Sequence, residues 1–343
     1  MAAFTEIDDS GLYFNTIIWT GASDTAGRAF TGVGFEPDLV WQKIRNDTYN
    51  HKLLDSVRGA GNDKELLADT NGLEGASSAE TYGYLSSFDA DGFTTTAGTS
   101  GSAGNLHWNQ NNNLFVAWNW KESATSGFDI VTATGTGSAR NISHSLSAVP
   151  HWIISKEKSG SVNDWTIYHH QNTSAPETDN LILNETNATA DVTAWNDTVP
   201  TSSVFSVGTT STTNRTDSTY VYYLWSEKQG FSKFGKYTGN GNTDGAFIYL
   251  GFRPAWFLCK NTQDTGDNWI LHDNKRDPFN VTDAGTAPNT SAVEFTDVDM
   301  DFLSNGVKMR NNTGRANSAK TFVYMAFAES PFVNSNGVPN NAK

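Results

Sequence analysis

Short apolar runs separated by turns rich in Gly, Asn and Thr recur along all 343 residues, at the spacing of strands and not of helices. Three of these runs are long and aromatic: Leu114-Phe115-Val116-Ala117-Trp118-Asn119-Trp120-Lys121, Tyr220-Val221-Tyr222-Tyr223-Leu224-Trp225-Ser226-Glu227 and Phe322-Val323-Tyr324-Met325-Ala326-Phe327-Ala328-Glu329. Each closes a stretch that opens on a strand ending in Thr-Gly: Ile17–Gly21, Ile130–Gly135 and Gly235–Gly239. Between opening and closing runs, a proline (Pro37, Pro150, Pro254) precedes a Trp-bearing apolar run, and a lysine (Lys43, Lys156, Lys260) follows at a fixed interval. Proline fixes φ and lacks a donor, so it starts a strand or lies at an edge, and the run behind it enters the interior. Helical periodicity is weak everywhere; Asn62–Leu67 is expected to form a single turn.

Five landmarks in one order, three times over, are the signature of an internal repeat. Each copy has the size of an immunoglobulin-class sandwich, so the chain is predicted to be all-β, three tandem antiparallel β-sandwiches, each burying its own Trp-lined interior. The expected boundaries are 1–122 for the first sandwich with an N-terminal arm, 127–229 for the second and 230–330 for the third, with 331–343 a polar tail or docking strand. Glu122–Ser126 reads as the one linker. The junction Glu227-Lys228-Gln229-Gly230-Phe231 leaves no slack, so copies two and three should be rigidly coupled. Asp89-Ala90-Asp91-Gly92 and Ser304-Asn305-Gly306 read as hairpin turns.

Composition narrows the function. A formal net charge of −14 repels phosphate backbones and anionic lipid, which argues against nucleic-acid partners and membrane insertion. No apolar stretch is long enough to span a bilayer, and the N-terminus does not read as a secretory signal. The single cysteine, Cys259, lies in an apolar run and reads as a buried, inert thiol.

Catalytic chemistry is expected to be absent. Asp89/Asp91 and Asp299/Asp301 sit in turn contexts and read as caps, not as a glycosidase acid and base. Asp55/Arg58 and Asp273/Arg276 recur in equivalent places and read as structural ion pairs. His169 and His170 are adjacent on a strand and point to opposite faces, so with His151 they make no simple metal site; no cofactor or metal is expected. The remaining candidates are loop aromatics outside the repeat: Trp108 beside His107, and Trp195 beside Asn196. Tryptophan among amide side chains suits sugar stacking with lateral hydrogen bonds, so these four residues are the expected ligand-binding set. The competing reading folds each tryptophan back to cap its own sandwich.

With these residues in view, the chain resembles a repeat family of virion proteins from marine tailed phages, cyanophages especially. The resemblance is carried by Met1-Ala2-Ala3-Phe4-Thr5-Glu6-Ile7-Asp8-Asp9, Gly32-Val33-Gly34-Phe35-Glu36-Pro37-Asp38-Leu39-Val40-Trp41, Tyr237-Thr238-Gly239-Asn240-Gly241, Asp273–Asn280 and Tyr324-Met325-Ala326-Phe327-Ala328-Glu329. It implies sandwiches of the jelly-roll, concanavalin A-like lectin/glucanase type. It also implies a virion protein assembled in the host cytoplasm, non-enzymatic, contacting other virion proteins as a homotrimer. The implied role is that of a tail fibre or tail appendage that attaches to a host surface glycan. The alternatives it leaves are a capsid-attached decoration or head-fibre protein, and a polysaccharide depolymerase. The family has no agreed catalytic residues, so none is carried over.

Overall fold

The computed structural model describes residues 5–340 and is all-β, with 39% of residues in strands and 5% in helices. Met1–Phe4 of the opening motif and the last three residues of the expected tail lie outside the described residues. The first unit contains β1 (Phe14–Thr20), β2 (Arg28–Thr31), β3 (Leu39–Ile44), β4 (Lys52–Asp55), β5 (Leu66–Leu67), β6 (Tyr84–Asp89), β7 (Gly92–Thr96) and β8 (Leu114–Trp120). The second contains β9 (Phe128–Thr134), β10 (Arg140–Ser143), β11 (Trp152–Ser159), β12 (Thr166–His169), β13 (Asp179–Ile182), β14 (Ala190–Asp191), β15 (Val204–Val207) and β16 (Thr219–Trp225). The third contains β17 (Ser232–Thr238), β18 (Phe247–Tyr249), β19 (Phe252–Asn261), β20 (Ile270–Asp273), β21 (Gly285–Thr286), β22 (Met300–Leu303), β23 (Gly306–Met309) and β24 (Thr321–Pro331).

One topology recurs. The large sheets run β1-β8-β3-β4-β5, β9-β16-β11-β12-β13-β14 and β17-β24-β19-β20-β21, and the small ones β2-β7-β6, β10-β15 and β18-β23-β22, all antiparallel. Ala90-Asp91 and Ser304-Asn305 turn the hairpins β6–β7 and β22–β23. Asp91 accepts the Gly32 and Gly34 amides at 3.1 and 2.6 Å, which ties its turn to the loop after β2.

The cores depart from the expectation of three separate interiors. One face of each large sheet does meet its own small sheet, as in the cluster of Trp19, Phe30, Phe93, Trp108 and Phe115. The opposite faces of all three large sheets meet each other in one central core, which takes the tryptophans of the proline-to-lysine runs, Trp41, Trp152 and Trp256. Trp120 packs edge-on against Trp256 at 5.7 Å and Trp225 at 6.4 Å, and Trp152 against Trp269 at 6.0 Å. A sheet buried on both faces needs apolar residues at consecutive positions, which is why β3, β4 and β12 are buried throughout.

The seams close head to tail. Lys156 Nζ donates to the Asn71 carbonyl of the first unit at 2.9 Å, and Lys260 Nζ to the Thr186 carbonyl of the second at 3.3 Å. Trp165 Nε1 donates to Leu67 O, and Trp269 Nε1 to Ile182 O, both at 2.9 Å. Trp118 Nε1 of the first unit reaches Asp273 of the third at 2.9 Å, completing the ring. Glu122–Ser126 is therefore no slack linker. Ser126 is buried, and the turn is pinned by the Ser123–Phe128 bridge, as Lys228–Ser232 pins the next junction. The stretch 62–67 is a turn leading into β5 and not a helical turn, because Leu66 and Leu67 pair with β4. The tail folds as a small hairpin through the Val333–Pro339 bridge, and the Ser335 amide donates to Asp8 at 2.7 Å.

Candidate functional site

Trp108, in the short helix α2 after α1 (α1, Ala79–Tyr82; α2, Leu106–Asn109), is 0% exposed, and its indole donates to Glu65 at 3.2 Å. Trp195 is 1% exposed and packs edge-on against Tyr168 at 5.9 Å. Neither offers a face to a sugar. The polar loops around them cover the ends of the sandwiches, and the large apolar rings turn inward. His107 is buried between Tyr49 and Tyr82, and burial followed by the Lys52 charge pushes its pKa down to about 2. Asn196 is exposed at a left-handed turn, φ +54°, next to the buried Trp195. Neither pair presents an exposed stacking face.

A different place does. In every sandwich the first strand of the large sheet faces the edge strand of the small one: β1 faces β2, β9 faces β10, β17 faces β18. Registering the units on their paired strands aligns Thr20, Thr134 and Thr238, and separately Phe30, Ile142 and Ile248. In the first unit Arg28 crosses the mouth and donates to the Thr20 carbonyl at 3.1 Å; in the second, Arg140 donates to the Thr134 carbonyl at 2.5 Å. The third unit has Ala246 in that place, so its mouth carries no such latch.

The outward positions of the same strand change together. Ala29 and Asn141 correspond to Phe247, and Thr31 and Ser143 to Tyr249. Phe247 is 47% and Tyr249 55% exposed, while Ile248 between them is buried. Residues two apart on a strand share a face at about 6.6 Å separation. On the facing strand, Ile17 and Val131 correspond to Gly235, where a Cβ would meet the Tyr324 hydroxyl at 2.5 Å. Loss of a latch, loss of a side chain and gain of two aromatics leave a cleft of about 700 Å³ at the seam of the second and third units.

Its polar wall comes from the second unit. His151 and His170 stack edge-on at 4.4 Å. Burial, then the neighbouring His170, pushes His151 down to about 4, and burial lowers His170 as well, so both are neutral near pH 7. His151 Nδ1 accepts the Glu227 amide at 2.9 Å, which places its proton on Nε2. His170 Nε2 donates to the Phe234 carbonyl at 2.7 Å, leaving Nδ1 as an acceptor. Burial raises the Glu227 carboxyl, which accepts the Phe234 amide at 3.4 Å. Lys233 donates to the Tyr249 carbonyl at 3.2 Å, with its ammonium 5.3 Å from that ring centre. The two histidines supply neutral donors and acceptors beside two aromatic faces. Among the described residues no group of three or more His, Cys, Asp or Glu is placed to hold a metal ion, and Cys259 is buried with its thiol pushed up to about 12 by burial.

These features define a class: a closed ring of three β-sandwiches in one chain, two with latched mouths and one with an open aromatic cleft. The chain belongs to the DUF7483 family, described as a domain of unknown function, whose model matches residues 9–331. That single match runs across all three units and both junctions. No curated protein matches the chain. The cleft was within reach of the repeat itself, since Arg28, Arg140 and Ala246 stand at one register; finding it requires the strand pairing that aligns them.

Proposed function

We propose that this protein is a non-enzymatic structural component of a tailed-phage virion, a tail appendage that attaches to the host by binding a surface carbohydrate in the cleft between β17 and β18. The exposed Phe247–Tyr249 pair carries the reading. Its counterparts in the other units are small or polar, so the aromatics are not needed to build the fold. Paired aromatic faces two residues apart suit consecutive sugar rings, with hydroxyls met by the histidine and glutamine side chains around them. The virion assignment rests on the sequence resemblance, and the rigid ring suits a part that must hold its shape outside a cell.

An extended peptide fits less well. Strand addition needs a free edge, and the amide and carbonyl of Phe234 in β17 are already taken by Glu227 and His170.

The test is adsorption of purified protein to host cells, with Phe247→Ala and Tyr249→Ala compared with wild type and immunogold labelling of intact virions. At least tenfold weaker adsorption with an unchanged melting temperature, and label on the tail, is the expected result. Unchanged adsorption removes this site, label on the head moves the protein to the capsid, and reducing sugars released from host polysaccharide would make it a depolymerase.

A further inference from the structure

Two further positions in the open cleft depart from the other units, and both changes introduce positive charge. Lys233 occupies the register of Asn15 and Asp129, and Lys236 that of Ile18 and Thr132. In the first two units this pair of positions carries no cation; in the third it carries two, in a chain whose net charge is −14.

The two lysines do different jobs. Lys233 spans the mouth to the Tyr249 carbonyl, much as Asn15 spans its own mouth to the Val33 carbonyl at 3.0 Å. Lys236 is exposed at the rim and has no carboxylate within ion-pair distance among the described residues. The acids that line the cleft are engaged elsewhere. Glu6 lies 3.8 Å from Lys228, and Glu227 accepts the Phe234 amide. A cation that folding does not use, placed beside an aromatic platform that folding does not use, has an anionic group of a ligand as its natural complement.

We propose that the open cleft selects an acidic polysaccharide, one whose sugar rings lie on Phe247 and Tyr249 while a carboxylate or sulfate group pairs with Lys236. The proposal deepens the carbohydrate reading and rests on it. Units one and two are excluded as equivalent sites, because Arg28 and Arg140 close their mouths and Ile18 and Thr132 offer no charge.

The experiment uses the full chain in equilibrium binding to three polymers: polygalacturonate, dextran sulfate and neutral dextran, at low and physiological salt. Wild type is expected to bind at least one acidic polymer and to prefer it over dextran, with affinity falling as salt rises. Lys236→Gln should weaken that binding roughly tenfold, the scale of one charge-assisted contact. Phe247→Ala should abolish it, and neither variant should change the melting temperature. Preference for polygalacturonate or for dextran sulfate identifies the anionic group. Equal binding of dextran, or acidic binding that survives Lys236→Gln but is lost in Phe247→Ala, overturns the acidic selection and leaves the carbohydrate cleft standing. Failure to bind any of the three polymers, or binding indifferent to both substitutions, overturns both.

Discussion

Asp55 and Asp273 are fully buried carboxylates, and several donors converge on each. Burial alone would raise Asp273, but Arg276 beside it, with the Trp118 indole, holds the carboxyl below its usual range. Asp55 receives Arg58 and the Tyr223 hydroxyl at 2.7 Å. At the remaining seam the residue in the Tyr223 and Trp118 register is Met325, which has no proton to give. The acid is replaced there by His169 and the arginine by Asn172, a neutral pair in place of a charged one. A buried charge without its donors costs several kcal/mol, so the three positions change as a set. The recurrence of Asp-x-x-Arg was readable in the chain, but its loss in the second copy has a cause in the third, which only the ring reveals. Trp108 and Trp195 teach the same lesson. Local amide-rich composition does not say which way a ring points, whereas burial makes Trp108→Ala and Trp195→Ala costly, by about 3–5 kcal/mol each. Chemical denaturation should show that loss for both, against no change for Phe247→Ala; near-wild-type stability of Trp108→Ala would put its ring outside the core.

At the scale of elements, strand identity was largely legible and sheet environment was not. The opening, proline-led and aromatic closing runs became the strands of the large sheets, because β-branched and aromatic residues fit a pleated surface. Alternation within a run indicates one buried face only when the other face meets water. Here the second face meets the central core, so Trp118 and Trp120 lie on one side of β8, Phe115 and Ala117 on the other, and both sides are buried. The short edge strands β2, β10 and β18 carry too few residues for a pattern, yet they decide which mouth is open. Their latch offers a direct test. Ala246→Arg should let a guanidinium reach the Thr238 carbonyl as Arg28 and Arg140 reach theirs, closing the cleft without touching Phe247, Tyr249 or Lys236. Binding measured on that variant should drop at least tenfold while the melting temperature holds or rises. Retained affinity would mean that the cleft between β17 and β18 is not where the ligand sits.

At the scale of the whole molecule, the shared core alters what a unit is. A sandwich taken from the ring would expose one complete face of its large sheet: for the third, Trp256, Leu258, Trp269, Leu271 and Phe327. That surface far exceeds what a soluble monomer leaves in water. The seams also leave polar groups that only a neighbour satisfies, among them the Trp165 and Trp269 indoles. The separate-sandwich picture would predict stepwise melting, with the Glu122–Ser126 turn open to proteases. The ring predicts a single calorimetric transition whose van't Hoff and calorimetric enthalpies agree, and resistance to cleavage at that turn. It further predicts that the segment 230–343 made alone is unfolded or aggregated. Two or more resolved transitions, or a monomeric fragment with native near-ultraviolet dichroism, would show that the central core is not what holds the units together. The same coupling bears on the cleft, because its histidine wall and its aromatic platform come from different units and keep their spacing only while the seam between them is closed.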